Sequence, residues 1–229
     1  MTKYCLLTNY ICIQVQGSKA LDLLQGQLTN NVYTNNKSLF CNIKGRIIAM
    51  LEIIHFDNSI YLVMNKELWP RTHELLLKVA LLSKVVFEEK PAINIYATLD
   101  DKFYLSSQLP EITSLDQISY EQWHLHRIKQ QKFELYSATI GLFLPHDLNL
   151  IDNWIDFAKG CYRGQEIIAR MHYRAKSKYH LALIENKDLS ALQPGEKLDD
   201  MSTVIDKHDN LILVCTSLHN QAICYNNGY

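Results

Sequence analysis

The chain has 229 residues, 48% of them hydrophobic and 21% charged, which suits a globular protein with a sizeable core in one large domain or two modest ones. A formal net charge of −1 excludes a global field that would draw the molecule to nucleic acid or a membrane, and leaves room only for local patches. Six cysteines (Cys5, Cys12, Cys41, Cys161, Cys215 and Cys224) form no C-x-x-C pair and meet no histidine at zinc-finger spacing, which argues against a resident metal and against a disulfide framework.

The first segment, MTKYCLLTNYICIQV, carries one lysine, but Thr8, Asn9 and Gln14 interrupt any signal-like apolar core. It reads as mature structure, with the cytoplasm as the expected compartment. No apolar run approaches the roughly 20 residues of a membrane span, so no membrane partner is expected. Tyr10–Val15 alternates and is rich in β formers, which predicts a strand. Ser18 is placed to cap a helix through KALDLLQGQL, whose Ala20, Leu21, Leu24 and Leu28 fall at helical spacing. In FCNIKGRIIAMLEIIHF, Lys44-Gly45 separates two apolar β-rich runs and predicts a hairpin, with Gly45 supplying a positive φ. Asp57-Asn58-Ser59 turns the chain into IYLVM.

Pro70 opens a helix through HELLLKVALL, and VVFEE and INIYATL are again strand-like. The order β-α-β-β-α-β predicts an α+β, ferredoxin-like architecture. Neither G-x-G-x-x-G nor G-x-x-x-x-G-K-[ST] occurs, which removes the common nucleotide folds. Glu121–Gln131 reads as a further helix. A loop, GLFLPHDLNLIDNW, leads to KGCYRGQEIIAR (Lys159–Arg170) and a helix starting near Gln165. Beyond Lys178, YHLALIENK, TVIDK, LILVCTSL and QAICY are short β runs with turn signals, expected to form a small, shortened β-barrel. The expected division is 1–175 for the larger domain and 176–229 for the barrel.

KGCYRGQEIIAR is the strongest chemical signal. Cys161 precedes a helix N-terminus, and Lys159 and Arg163 add cations; both effects favour a thiolate, the reactive form. Gly160 and Gly164 permit a sharp turn that leaves the sulfur uncrowded. The residues alone leave a second reading open, a strand-to-helix turn with a packed cysteine, because no general base stands nearby in sequence. QGQLTNN (Gln25–Asn31) either binds a polar heterocycle or ends a helix. Lys44-Gly45-Arg46 either meets an acidic tail or is an ordinary exposed turn. Trp123, His124, His126 and Arg127 offer a stacking surface with a cation, or a core tryptophan. Arg163, Arg170, Arg174, Lys176 and Lys178 suit RNA or phosphate contact, and a solvated helix face explains them equally.

KGCYRGQEIIAR with its following YR resembles the signature of the YgfZ-type folate-binding family, relatives of the glycine-cleavage T-protein. LLQGQLTNNV, CNIKGRI, the WHLHRI helix and FLPHDLNL fall in the family's order, so the likeness spans roughly Leu21 to Leu181. It implies a T-protein-like folate-binding fold of ferredoxin-like modules around a central cleft, with a C-terminal β-barrel. It also implies a tetrahydrofolate-binding accessory factor that assists iron–sulfur cluster assembly or repair in client enzymes. Those clients include radical enzymes that thiomethylate tRNA (tRNA methylthiotransferases), and tRNA contact is a further implied option. The alternative is a folate-dependent aminomethyltransferase like the T-protein.

Carried over by position, the signature places Cys161 as the functional thiol beside the cleft, with Lys159, Tyr162, Gln165 and Glu166 around it. Gln27, Trp123, Arg127, Asn149 and Arg170 are the expected folate contacts. Ala175 stands where the family often has glycine, and the segment beyond the signature is short.

Overall fold

The computed structural model describes residues 3–111 and 115–220. In chain order the strands and helices are β1 (Lys3–Leu6), β2 (Tyr10–Gln16), α1 (Ala20–Gln27), β3 (Lys37–Cys41), β4 (Ile47–Phe56), β5 (Ser59–Asn65), α2 (Trp69–Ser83), β6 (Val86–Glu89), β7 (Ile95–Thr98) and β8 (Phe103–Leu105). They continue with β9 (Asp116–Gln117), α3 (Tyr120–Lys129), α4 (Ile151–Trp154), α5 (Gln165–Arg174), β10 (Tyr179–Glu185), β11 (Lys197–Asp199), β12 (Ser202–His208) and β13 (Leu211–Ser217).

The first sheet has the order β3-β4-β5-β2-β6, antiparallel throughout. Four of its strands, with α1 after β2 and α2 after β5, make the expected ferredoxin-like unit, and β3 extends the far edge. β4 is an almost unbroken apolar run because both of its faces are covered: every residue from Ile47 to Ile53 except Met50 is buried. Asp57 and Asn58, both at positive φ, form the tight β4–β5 turn, and Gly45, at φ +70°, forms the β3–β4 turn. α2 carries Pro70 in its first turn, buries Leu75, Leu76 and Ala80 at helical spacing, and stops at left-handed Lys84.

Three local expectations are corrected. Ser18 does not cap α1: the position belongs to Lys19, without a side-chain bond, because the entry is made by Gly17, whose carbonyl accepts the Ala20 amide. INIYATL leaves the first sheet. As β7 it pairs with β1 in a second sheet of order β8-β7-β1-β9, which buries Cys5, Ala97 and Leu105 with Cys12 and Val63 of the first sheet. The helix through WHLHRI begins one residue earlier than expected, where Ser119 and Gln122 close a capping box.

The C-terminal segment departs from the barrel expectation. β10 to β13 form a four-stranded antiparallel sheet, β10-β13-β12-β11, and no ring closes among the described residues. β11 is three residues long and ends the order, and QAICY lies outside the described residues. One face of this sheet buries Leu181, Ile205, Leu213 and Cys215 in the same core as α1, α2 and the first sheet.

Candidate functional site

The signature folds as a clamp. Lys159, 9% exposed, drives its ammonium into the end of α1 and donates to the carbonyls of Gln25 (2.6 Å), Leu28 (2.6 Å) and Asn30 (3.0 Å). A helix end leaves such carbonyls without partners, and a cation there also complements the helix dipole. Burial draws the Lys159 pKa down to about 8, with Asp156 opposing. The Arg163 amide donates to Gly26 O at 3.2 Å, and its guanidinium stands 5.7 Å from the Phe40 ring centre. Both cations expected beside the thiol are thus directed inward.

Gly164 caps α5 at φ +81°, where a β-carbon would lie 2.5 Å from Asn42 O and 3.1 Å from Gly45 Cα. The two turns interlock, and a β-carbon on Gly45 would in turn meet Ile168 at 3.1 Å. Gly164→Ala is therefore expected to cost about 2 kcal/mol in urea unfolding. Gly160→Ala, at a position with open space around it, should change stability by less than about 0.5 kcal/mol. Equal effects at the two positions would contradict the clamp.

Cys161 is exposed, unlike Cys5, Cys12, Cys41 and Cys215, which are buried. Burial pushes the thiols of Cys5, Cys12 and Cys215 up to about 12, as befits packed, inert sulfur. Tyr162 lies under the Lys159 ammonium, 5.2 Å from ring centre to Nζ, and its hydroxyl, like Gln27 Oε1 and Arg163 Nε, is buried without a hydrogen bond. Glu166 and Arg170 point to solvent, and Gln165 is half-buried.

A cavity of about 860 Å³ lies elsewhere, between the first sheet, the end of α3 and the segment from Leu148 to Trp154. That volume is in the range of about 300–1,000 Å³ typical of ligand sites. Met50, Phe103, Leu148, Leu150 and Trp154 give it apolar walls. Of the residues expected around folate, Arg127 and Asn149 are on its wall. Gln27, Trp123 and Arg170 are not, and neither are Cys161, Lys159, Tyr162, Gln165 and Glu166.

Trp123 is fully buried in the second core, donating Nε1–H to Thr98 O at 3.2 Å beneath the Arg127 guanidinium, 4.6 Å away. Arg127 pairs with Asp101 and donates to Phe133 O at 3.1 Å. Burial pushes the Asp101 carboxyl up, but Arg127 and Lys132 more than offset it and hold its pKa below the usual range.

The cavity's own tryptophan is Trp154, fixed by the Thr29 hydroxyl donating to its carbonyl at 2.6 Å, with Lys37 Nζ 5.6 Å from the ring centre. Sequence reasoning missed it, and missed Lys37, Asp101 and Glu52. Glu52 did leave a signal: a lone carboxylate inside the apolar run IIAMLEIIHF of a strand covered on both faces. Among the described residues, no group of three or more His, Cys, Asp or Glu side chains is placed to hold a metal, and no helix is long and apolar enough to cross a membrane.

No protein-family model matches the chain. Its fold is that of an aminomethyltransferase-T-like protein. The glycine cleavage system aminomethyltransferase T of Bartonella henselae matches with a TM-score of 0.69 over 95% of this chain and 78% of that one, at 11% identity. In sequence the chain is similar to the tRNA-modifying protein YgfZ of Buchnera aphidicola (26% identity over 82% of this chain and 72% of that one). It is likewise similar to YgfZ of Colwellia psychrerythraea (25%, over 79% and 71%). A Haemophilus influenzae protein described as uncharacterized is 28% identical over 87% of this chain and 79% of its own length. The chain is a relative of the YgfZ proteins.

Proposed function

We propose that the chain is a tetrahydrofolate-binding accessory factor that supports iron–sulfur cluster assembly or repair in cytoplasmic, tRNA-thiomethylating radical enzymes. The observation that carries the folate part is the 860 Å³ cavity in an aminomethyltransferase-T-like fold, where apolar side chains such as Met50 and Trp154 stand among a largely polar and charged lining. Its residues suit a reduced pterin: Trp154 and Met50 offer faces for the ring, Glu52 offers an acceptor, and Arg127, Lys129 and Lys132 lie where an acidic tail needs cations. Bound folate would supply a one-carbon carrier or a sensing ligand, while the chain's own side chains orient it and exclude water.

Cys161 is proposed to act at the surface, where the clamp holds its backbone still and leaves the sulfur open to a docked client. One thiolate cannot hold a cluster alone, which suits a passing ligand to iron, or a passing sulfur acceptor, and not a resident site. Arg170 at the end of the signature and Arg174, Lys176 and Lys178 beyond it, all exposed, suit tRNA or a tRNA-bound client.

Tetrahydrofolate added to the protein is expected to change Trp fluorescence, and Trp154→Phe to remove most of that change. Cys161→Ser is expected to bind folate as wild type does and to fail to restore tRNA thiomethylation in a strain lacking the protein. Full rescue by Cys161→Ser would end the thiol proposal. Turnover of an aminomethyl-lipoyl carrier by the purified protein would favour the transferase alternative.

A further inference from the structure

Glu52 is 7% exposed, yet it lines the large cavity. Its one charged contact, Lys37 across the β3–β4 ladder, spans 3.7 Å, longer than a hydrogen bond, and no other group bonds its carboxyl among the described residues. A carboxyl so buried carries a desolvation penalty that protein partners normally relieve; here Lys37 offers only a long ion pair at Oε1, and the carboxyl lines the cavity without a hydrogen bond.

The groups facing it explain why the structure tolerates this. Across β5 its neighbour is the apolar Val63. From α3 comes Arg127, and from the turn after β7 Asp101, already paired with Arg127 and Lys132. Lys129 and Glu134 line the same cavity, as does Tyr10 of β2. One Glu134 oxygen is engaged by Tyr120 (2.6 Å) and Asn9 (3.1 Å) and its other oxygen is buried without a partner, while Lys129 is exposed. Among the described residues, Glu52 is the carboxyl of this cavity that no protein group hydrogen-bonds at either oxygen.

Resting on the folate reading, we infer that Glu52 reads the donor edge of the pterin, accepting the ring's 2-amino group and adjacent N–H as a carboxylate. Two parallel N–H donors match the two oxygens of a carboxylate, and such charge-assisted pairs are the strong ones. A protonated carboxyl offers one acceptor and a donor that opposes the ring's own donors. Binding therefore breaks the Glu52 O–H bond, sends the proton to the buffer and leaves the pair on the oxygen that accepts the ring.

Before the ligand enters, burial holds the Glu52 pKa up at about 8, with Lys37 and Arg127 pulling down. At pH 7 the empty site is therefore mostly neutral, and ligand uptake is linked to proton release.

The test is calorimetric titration of tetrahydrofolate into the intact protein from pH 6 to 9, in buffers of different ionisation enthalpy. Close to one proton released per ligand is expected at pH 7. Affinity should rise about tenfold per pH unit up to about pH 8 and level off above it. Glu52→Gln should abolish the release, flatten the pH profile and weaken binding at pH 8.5 by tenfold or more. Circular dichroism reports whether the variant is folded, and a folate analogue with methyl in place of the 2-amino group, which keeps only the ring N–H, should show a smaller difference between wild type and Glu52→Gln. Lys37→Met should move the midpoint of the profile to higher pH.

Tetrahydrofolate binding that is pH-independent and unchanged in Glu52→Gln would overturn the assignment and leave the folate reading standing. Affinity that falls above pH 8 would show the carboxyl acting as a donor and overturn it too. No binding at any pH would remove the folate reading and this inference together.

Discussion

Replacing Asp206 by alanine is expected to cost about 4 kcal/mol of folding free energy, the typical result of removing one member of a buried charged network. Asp206 is fully buried in β12, beside a register shift between Val204 and Asp206. Oδ2 accepts from the Glu134 amide at 2.8 Å and pairs with His124 Nε2 at 2.9 Å, while Oδ1 accepts from the Tyr136 hydroxyl and the Lys207 amide, both at 2.8 Å. Truncation leaves an imidazole, a phenol and two amides without acceptors, and it cuts the polar tie between the C-terminal sheet and α3.

Urea unfolding measures the loss, and a cost below about 1 kcal/mol would show that the network is incidental. The pH dependence has a definite sign. Burial pulls the His124 pKa down, but the hydrogen bond and charge of Asp206 more than compensate and hold it above its ordinary value. Its contribution is thus fully present below about pH 6.5 and is lost as pH rises through the folded-state value. Asp206→Ala should erase that part of the wild-type profile.

Glu52→Gln is expected to act in the opposite direction, raising the stability of the unliganded protein by about 3 kcal/mol at pH 8.5. The folded-state pKa, about 8, lies above the ordinary carboxylate value because burial penalises the charge, with Lys37 opposing. A folded state that holds its proton more tightly than the unfolded chain loses stability as pH rises from about 4.5 to 8, and bears the full cost above 8. Glutamine has no charge to bury. The advantage of the variant should shrink below about 1 kcal/mol at pH 5, where both carry a neutral side chain. A variant less stable than wild type at pH 8.5 would mean that the carboxylate is already compensated, and a stabilised variant that binds folate poorly would show a site held ready at the expense of the fold.

Much of the architecture is determined by local pattern. The β-α-β-β-α-β order, the turns at Gly45 and Asp57-Asn58, Pro70 at the start of α2 and the helix from Gln165 all follow from periodicity and turn chemistry, because each rests on contacts within a few residues. The long, dense signature was legible for the same reason, and it pointed to the YgfZ relatives whose similarity spans most of the chain.

Only the tertiary structure decided what the signature's side chains do. Lys159 is aimed at carbonyls 129–134 residues away in sequence, and Gly164 is required by a backbone oxygen of Asn42. Nothing local distinguishes those roles from thiol activation. The cavity wall was equally hidden, since Lys37, Glu52, Asp101 and Trp154 come from four separate segments, while Trp123, the more conspicuous aromatic, fills a core. Whether a polar side chain is a partner or an orphan depends on which distant groups arrive beside it, and that is fixed by packing.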